Sequence, residues 1–205
     1  MNVVPVVLEG EHVRLEPLDL DRHFAALCEV GLDPELWRWT ISQIRTQEQL
    51  RDYLATAVRE RAEGRSLPFA TIAKAAGKAI GSTRFGNIDR ENRHVEIGWT
   101  WLGTAWWRSA VNTEAKLLML THAFETWGTM RVELKTDVQN ERSRAAILRI
   151  GAQYEGIFRK HMVTESGRRR DSAYYSILDD EWPAVKQGLE AKLAAHRASA
   201  PRSGV

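Results

Sequence analysis

The residues best placed to do chemistry lie between positions 95 and 127, where an acidic side chain, a basic loop and a helix start follow one another. Apolar residues alternate here with Glu96 and other small or polar residues, which predicts a strand with one buried face and Glu96 on the other. The alternating apolar residues are Val95, Ile97, Trp99 and Trp101. An amphipathic helix is predicted from Thr113 to Trp127. Because a helix start has unpaired N–H groups and a positive dipole end, the loop before it favours phosphate binding.

This loop also contains an arginine. A guanidinium can hold a phosphate through two hydrogen bonds, so Arg108 is either a phosphate ligand or a bulky residue that fills the site. The candidate binding residues are Trp107, Arg108, Ser109, Ala110, Val111, Asn112 and Thr113. The strand, loop and helix are therefore predicted to bind a phosphate-containing ligand.

A second strand and helix follow the first unit. Alternation over 131–136 predicts a strand, and Asn140 begins a helix that ends at Gly151. Asn is among the best N-cap residues, so capping by itself explains Asn140. Ser143 lies in the first turn of this helix, where it is either a solvent-exposed residue or a functional one.

In their order and spacing, these two units resemble the GNAT superfamily of acyl-CoA-dependent N-acyltransferases, most closely the branch of ribosomal-protein N-terminal acetyltransferases. The matching residues are Glu96 to Trp99, Asn112 to Lys116, Arg131 to Leu134, Asn140 to Ser143, Ala146, Gly151, Ala152, Glu155, Gly156, Arg159, Arg170, Asp171, Tyr175 and Ser176. The resemblance implies an α/β domain over residues 1–180, with a central mixed, mostly antiparallel sheet flanked by helices. A C-terminal helix and a flexible tail are expected over 181–205.

The resemblance also implies a reaction, in which a neutral amine attacks the thioester of acetyl-CoA and the CoA thiolate leaves. Residues 107–113 are implied to hold the pyrophosphate, and Asn140 to reach the pantetheine arm. Glu96 is then the base that deprotonates the amine, directly or through water, and Ser143 is the acid that protonates the thiolate. An ion pair with a nearby arginine is the alternative explanation for Glu96.

The acceptor side involves four further residues. Trp37 and Trp39 are implied to form one wall of the acceptor site, although most tryptophans are core residues. His161 titrates in a useful range and is a third catalytic candidate, with a structural role as the alternative. Asp171 is a candidate acceptor ligand, or it pairs with Arg170.

The identity of the acceptor is constrained by intrinsic basicity. At pH 7 an α-amino group is roughly a tenth neutral, whereas a lysine side chain is about 0.04% neutral. A protein N-terminus or an amino-acid-like amine is therefore easier to acylate than a lysine, and small-molecule amines stay open as acceptors.

The loop departs from the family pattern Gln/Arg-x-x-Gly-x-Gly/Ala, because it lacks the first residue and both glycines. At Ala110 the change costs little if the backbone is right-handed helical, and of order 1 kcal/mol if positive φ is required. Two functions therefore remain: an N-acetyltransferase, or a non-catalytic CoA-binding or interaction module with the same fold.

Composition bounds the class of protein. A length of 205 residues favours one domain. A net charge of +2 with 27% charged residues does not indicate a surface that binds nucleic acid or a membrane. The single cysteine, Cys28, fits a reducing compartment, and the lack of a signal-peptide pattern makes a cytoplasmic protein the default expectation. The six histidines lack metal-ligand spacing, so no metal is expected. The sequence does not decide between a monomer and a homodimer.

Periodicity and turn residues predict the remaining elements. They are a strand over 6–15 with a turn at 9–11, helices over 17–30 and 46–63 around an irregular segment at 34–40, hairpin strands over 68–73 and 79–88, late strands over 153–163 and 171–178, a helix over 182–196 and a tail from 198. This order matches the acyltransferase fold and not a Rossmann domain, which would alternate strands and helices from the start.

Overall fold

The structure, a computed structural model, describes residues 1–199 as one eight-stranded sheet with six α-helices. The strands are β1 (Leu8–Glu9), β2 (Val13–Pro17), β3 (Leu67–Ala73), β4 (Lys78–Asp89), β5 (His94–Leu102), β6 (Arg131–Asp137), β7 (Gln153–Val163) and β8 (Arg169–Leu178). The helices are α1 (Leu20–Gly31), α2 (Pro34–Trp37), α3 (Gln47–Ala62), α4 (Ala110–Thr121), α5 (Glu141–Arg149) and α6 (Trp182–Ser199). Within residues 1–199, no helix is long and apolar enough to cross a membrane.

The sheet order is β1-β2-β3-β4-β5-β6-β8-β7, and each neighbouring pair is antiparallel except β5 with β6. The predicted mixed, mostly antiparallel sheet is thus confirmed. The parallel pair covers only three residue pairs, from His94 with Arg131 to Glu96 with Glu133. A parallel pair needs a crossover connection, and α4 provides it.

Two apolar cores cover the two faces of the sheet. On one face Val95 of β5 packs in a core with Met119 of α4. On the other face Leu54 of α3 packs in a core with Trp101 of β5. The apolar stripe of α3 is buried in this second core, so β5 lies between two helical layers.

A bulge in β5 explains how this strand reaches both cores. Trp99 has a φ of 50°, and the register between β4 and β5 shifts at this point. Because a bulge adds one residue to a strand, the side chains beyond it change faces. The predicted buried face is therefore correct for Val95 and Ile97 and wrong for Trp99 and Trp101. Thr100 consequently faces α4 and not the side of Glu96.

The helix that follows β5 begins earlier than predicted. It starts at Ala110 and not at Thr113, with Ser109 as its N-cap. The α-helix ends at Thr121 and continues as a π-helical turn over His122–Thr126. Apolar spacing alone does not separate these two helical forms, because both bury the same stripe.

Three other boundaries differ from expectation. The first predicted strand splits into β1 and β2 at the predicted turn. The segment predicted as irregular contains the one-turn helix α2, since Asp33 caps it and Pro34 fits the first helical turn. The last helix extends to Ser199, and residues 200–205 of the predicted tail lie outside the described part of the chain.

A buried carboxylate attaches the first hairpin to α4. Glu114, 6% exposed, accepts hydrogen bonds from the backbone N–H groups of Glu11 (2.8 Å), His12 (2.6 Å) and Val13 (2.7 Å). Hydrogen bonds to an ionised acceptor are stronger than neutral ones. This contact fixes the edge of the sheet against α4, the helix that follows the predicted phosphate loop.

Candidate active site

A cleft of about 1340 Å³ lies where β5 and β6 separate. Beyond the pair formed by Glu96 and Glu133 the two strands no longer hydrogen bond to each other, and Gly98 and Lys135 lie along its walls. Their facing backbone N–H and C=O groups can therefore bind an extended ligand, as a sheet edge binds a peptide. The other walls come from α3, α5, residues 36–44 and the loop before α4.

The predicted phosphate loop lies beside this cleft. Four of its residues line the cleft: Trp107, Arg108, Ser109 and Asn112. The other three are buried in the first turns of α4: Ala110, Val111 and Thr113. Ala110 is helical, so the absence of glycine there carries no backbone strain.

The positive φ of this loop falls at Arg108. Its φ is 61°, a left-handed conformation that costs a non-glycine residue roughly 1–2 kcal/mol. The side chain is exposed and makes no hydrogen bond or ion pair with any residue from 1 to 199. An unneutralised guanidinium is thus held at the start of α4.

Two further arginines line the same end of the cleft. The Arg142 guanidinium of α5 stacks on the Trp107 ring at 3.4 Å, and Arg149 of α5 donates a hydrogen bond to Thr113 Oγ1 at 2.9 Å. Burial lowers the pKa of Arg142, opposed by the charge of Glu35. Neither arginine forms an ion pair with a carboxylate among the described residues, so positive charge accumulates here.

Three polar residues near this end have unused hydrogen-bonding capacity. Asn112 Oδ1 is buried and has no partner in the part of the chain described. Asn140 is the N-cap of α5, because its Oδ1 accepts a hydrogen bond from the Ser143 N–H at 3.0 Å. The half-buried Ser143 hydroxyl lines the cleft and has no hydrogen-bond partner within residues 1–199. Asn140 therefore does cap the helix, and it lines the cleft as well.

Glu96 is buried at the base of the separation between the strands, with 3% of its surface exposed. Its Oε2 accepts hydrogen bonds from Lys135 Nζ and Asn87 Nδ2, both at 2.7 Å. The ion-pair partner is thus a lysine and not an arginine. Oε1 accepts no hydrogen bond from the described residues and lies against Gly98, where an added Cβ would approach it to 2.8 Å.

The two tryptophans predicted for the acceptor wall both line the cleft, but differ in burial. Trp37 is 2% exposed, donates its Nε1–H to the Gly31 carbonyl at 2.8 Å and packs on Tyr53. Trp39 is half-buried, with the guanidinium of Arg38 5.1 Å from its ring centre. Trp37 is therefore mainly a core residue, whereas Trp39 offers an accessible aromatic surface.

His161 and Asp171 are not among the residues that line the cleft. His161 contacts Ser172 Oγ at 3.1 Å and the Tyr174 hydroxyl at 3.3 Å. Burial, and then the charges of Lys135 and Arg170, lower the pKa of His161. Asp171 Oδ1 accepts a hydrogen bond from the backbone N–H of Lys160 at 2.6 Å and forms no ion pair with Arg170. Both residues hold the bent strand β7 against β8.

The cleft also contains a buried lysine without a carboxylate. Lys116 of α4 is 6% exposed, and its Nζ donates hydrogen bonds to Thr100 Oγ1 at 2.7 Å and Thr83 Oγ1 at 3.3 Å. Burial lowers the pKa of Lys116 to about 7. The ammonium is therefore readily deprotonated near neutral pH.

Four charged residues that line the cleft were not predicted as site residues: Arg84, Lys116, Lys135 and Arg170. One signal existed for Lys116, since it lies four residues before Leu120 on the apolar stripe of its helix. Arg84 is 5% exposed and pairs with Glu60 of α3 at 2.6 Å. That contact depends on packing between distant segments and has no local signature.

Comparison with known proteins identifies the family. Residues 12–153, more than half of the chain, match the family model described as "Acetyltransferase (GNAT) domain". The "Putative ribosomal N-acetyltransferase YdaF" of Bacillus subtilis (strain 168) is 36% identical over 110 residues, which cover 54% of this chain and 59% of that protein. A GCN5-related N-acetyltransferase from Brucella melitensis has a crystal structure with a TM-score of 0.85 and 36% identity, covering 94% of this chain and 90% of that one.

The chain therefore belongs to the GNAT family of acetyltransferases, which are enzymes. Its similarity is to the branch related to ribosomal-protein acetyltransferases, as the sequence predicted. RimJ from Mycobacterium smegmatis, solved in complex with CoA-disulfide, shares the fold with a TM-score of 0.76 and 23% identity, covering 91% of each chain.

Proposed function

We propose that this chain transfers an acetyl group from acetyl-CoA to a primary amine, with protein N-terminal α-amino groups as one class of acceptor. The observation that carries the proposal is the cleft between the separated strands, which runs to a helix start with unpaired arginines. The relative that is named a ribosomal N-acetyltransferase supports the acceptor class.

The described residues fit a CoA molecule. CoA carries a pyrophosphate and a 3′-phosphate, and Arg108, Arg142 and Arg149 offer three guanidinium groups without carboxylate partners at one end of the cleft. The pantetheine arm contains amides, which match the unpaired edges of β5 and β6. When bound, the thioester supplies the activated acyl group.

The chain's own side chains then divide the proton chemistry. Lys135 and Asn87 hold Oε2 of Glu96 and so orient the free Oε1, which accepts a proton from the amine directly or through a water. The Ser143 hydroxyl, free of hydrogen bonds within residues 1–199, holds a proton that it can donate inside the cleft. Glu96 lies on a strand and Ser143 on a helix, so rigid elements position both groups.

Calorimetry with CoA and acetyl-CoA, followed by a thiol-release assay on an amine panel, tests the proposal. The panel contains a peptide with a free α-amine and the same peptide with its N-terminus blocked and an internal lysine. We expect micromolar or tighter CoA binding and turnover of the free α-amine. No heat with millimolar CoA would refute the proposal.

A matched pair of variants tests the role of Glu96. Glu96→Gln removes the proton acceptor, and we expect kcat to fall about 100-fold or more with CoA affinity unchanged. Glu133→Gln is the control, since Glu133 is paired with Glu96 on β6 and forms an ion pair with Arg131, and neither Glu133 nor Arg131 lines the cleft. Equal kcat values for both variants would rule out Glu96 as the base.

A further inference from the structure

Arg170 of β8 is a buried charged side chain whose hydrogen-bonding groups are unused. Its side chain is 8% exposed, its Nε is buried without a partner, and its guanidinium donates no hydrogen bond to any residue from 1 to 199. Of its nitrogens only Nε is fully buried, and a buried donor without a partner is costly, whereas the terminal nitrogens stay accessible from the cleft. Arg170 nevertheless lines the cleft, so a ligand there can reach it.

The nearest carboxylate does not satisfy Arg170. Asp137 Oδ2 lies 3.9 Å from Arg170 Nε, too far for a hydrogen bond, and it is already bound by the guanidinium of Arg168. The other oxygen, Oδ1, accepts a hydrogen bond from the Gln139 N–H at 2.9 Å. Burial lowers the pKa of Arg170, opposed mainly by Asp137. Asp137 therefore binds Arg168 and Gln139 but accepts no hydrogen bond from Arg170.

Arg170 also lies at the end of the cleft where the chemistry is proposed. Glu96 is close enough to influence the pKa of Arg170, and Met162, the residue opposite Arg170 on β7, lines the cleft. The ion pairs that the structure describes at this point join three cations, Lys135, Arg168 and Arg170, to two carboxylates, Glu96 and Asp137. The excess positive charge favours an anionic ligand next to the proposed base.

From this geometry we propose that Arg170 binds a carboxylate of the acceptor, so that the preferred acceptor is an amine that carries an acid group. This inference rests on the proposed function. The acid group has two sources with the same chemistry: the α-carboxylate of a free amino acid, or an acidic side chain next to the N-terminus of a peptide. In both cases the guanidinium gains the hydrogen bonds that the protein does not supply.

Acid and amide pairs of acceptors test this preference in the unmodified protein. One arm compares a set of free amino acids with their amides. The second arm compares C-terminally amidated peptides that carry Asp or Glu at the second position with their Asn or Gln counterparts. We expect kcat/KM to be about 10- to 100-fold higher for the acid member in at least one arm. Equal kcat/KM values in both arms would overturn the proposal.

Variants locate the preference at Arg170. In Arg170→Gln the acid and amide members should have equal kcat/KM values. Arg170→Lys should retain part of the preference, because lysine keeps the positive charge but lacks the paired N–H donors of the guanidinium. Arg169→Gln is the control, since Arg169 is exposed and adjacent on the same strand. If Arg170→Gln lowers kcat/KM equally for acids and amides, Arg170 only maintains the structure of the cleft and does not bind the acid group, and the proposal is wrong.

A binding measurement separates failure of this inference from failure of the proposed function. Two sets of ligands are added to the unmodified protein without CoA, and thermal unfolding is followed: N-acetyl amino acids with their amides, and N-acetylated, C-terminally amidated peptides with Asp or Glu at the second position with their Asn or Gln counterparts. Greater protection by the acids, lost in Arg170→Gln, supports the proposal even without turnover. Equal protection, or none, overturns it even if CoA binds and amines are acetylated.

Discussion

Replacement of the buried lysine of α4 by methionine, Lys116→Met, should change how the stability of the protein depends on pH. The Nζ of Lys116 has two threonine hydroxyls as partners and no carboxylate among the described residues, and burial lowers its pKa to about 7. In an unfolded chain a lysine titrates near 10.4. Between these two values the unfolded state binds a proton that the folded state does not.

The sign and magnitude follow from this difference. Below about pH 7 Lys116 is protonated in both states, and the folded state bears the full cost of a buried ammonium. As the pH rises from about 7 to 10, the folded protein gains stability from this group at about 1.4 kcal/mol per pH unit, to a limit of roughly 4–5 kcal/mol. Methionine is similar in length and carries no charge, so the variant lacks this contribution.

Urea unfolding at pH 6, 7, 8 and 9 measures the effect as the difference in unfolding free energy between variant and parent. Lys116→Met should be more stable than the parent at pH 6 and 7, and its advantage should shrink by about 1 kcal/mol between pH 7 and 8 and by about 1.4 kcal/mol per unit above pH 8. Lys192→Met, on the exposed side of α6, is the control and should show a constant difference. A constant difference for Lys116→Met as well would refute the reasoning.

Three further predictions concern the loop, the proton donor and the hairpin. Arg108→Gly should raise the melting temperature, because glycine relieves the φ of 61° by about 1 kcal/mol, yet weaken CoA binding roughly tenfold in calorimetry; tighter binding would show that Arg108 obstructs the site. Ser143→Ala should lower kcat roughly 10- to 1000-fold with CoA affinity unchanged, and an unaltered kcat on a genuine acceptor would exclude Ser143 as the acid. Glu114→Gln should lower the unfolding free energy in urea by about 2–4 kcal/mol, because an amide cannot accept all three backbone hydrogen bonds as a carboxylate does; a loss below about 0.5 kcal/mol would contradict this.

Local signals were sufficient to predict most elements of the fold. Thr46 and Gln49 form the capping box of α3, and Gly64 ends that helix with a φ of 70°. The hairpin between β3 and β4 turns at Gly77, which also has positive φ. Such signals act between residues close in sequence, so the order of strands and helices can be predicted from one chain.

The bulge at Trp99 was not predictable in the same way. Its residues alternate regularly in polarity, but pairing with β4 adds one residue and reverses the faces beyond it. This reversal directs Thr100 towards Lys116 and moves Trp101 into the core beside α3. Polarity patterns report which residues are buried and not which core buries them.

The sequence by itself determined the family, the mixed sheet, and the strand, loop and helix that form one end of the cleft. These depend on short-range spacing and on motifs that survive in the chain despite the missing glycines. Only the tertiary structure decided the partners of the charged groups. Glu96 pairs with Lys135, 39 residues away, because β5 and β6 lie parallel in one register, and Arg170 is left without a hydrogen-bond partner in residues 1–199 because Arg168 takes Asp137. Electrostatic pairing depends on distances of a few ångströms between segments far apart in the chain, and the sequence does not contain those distances.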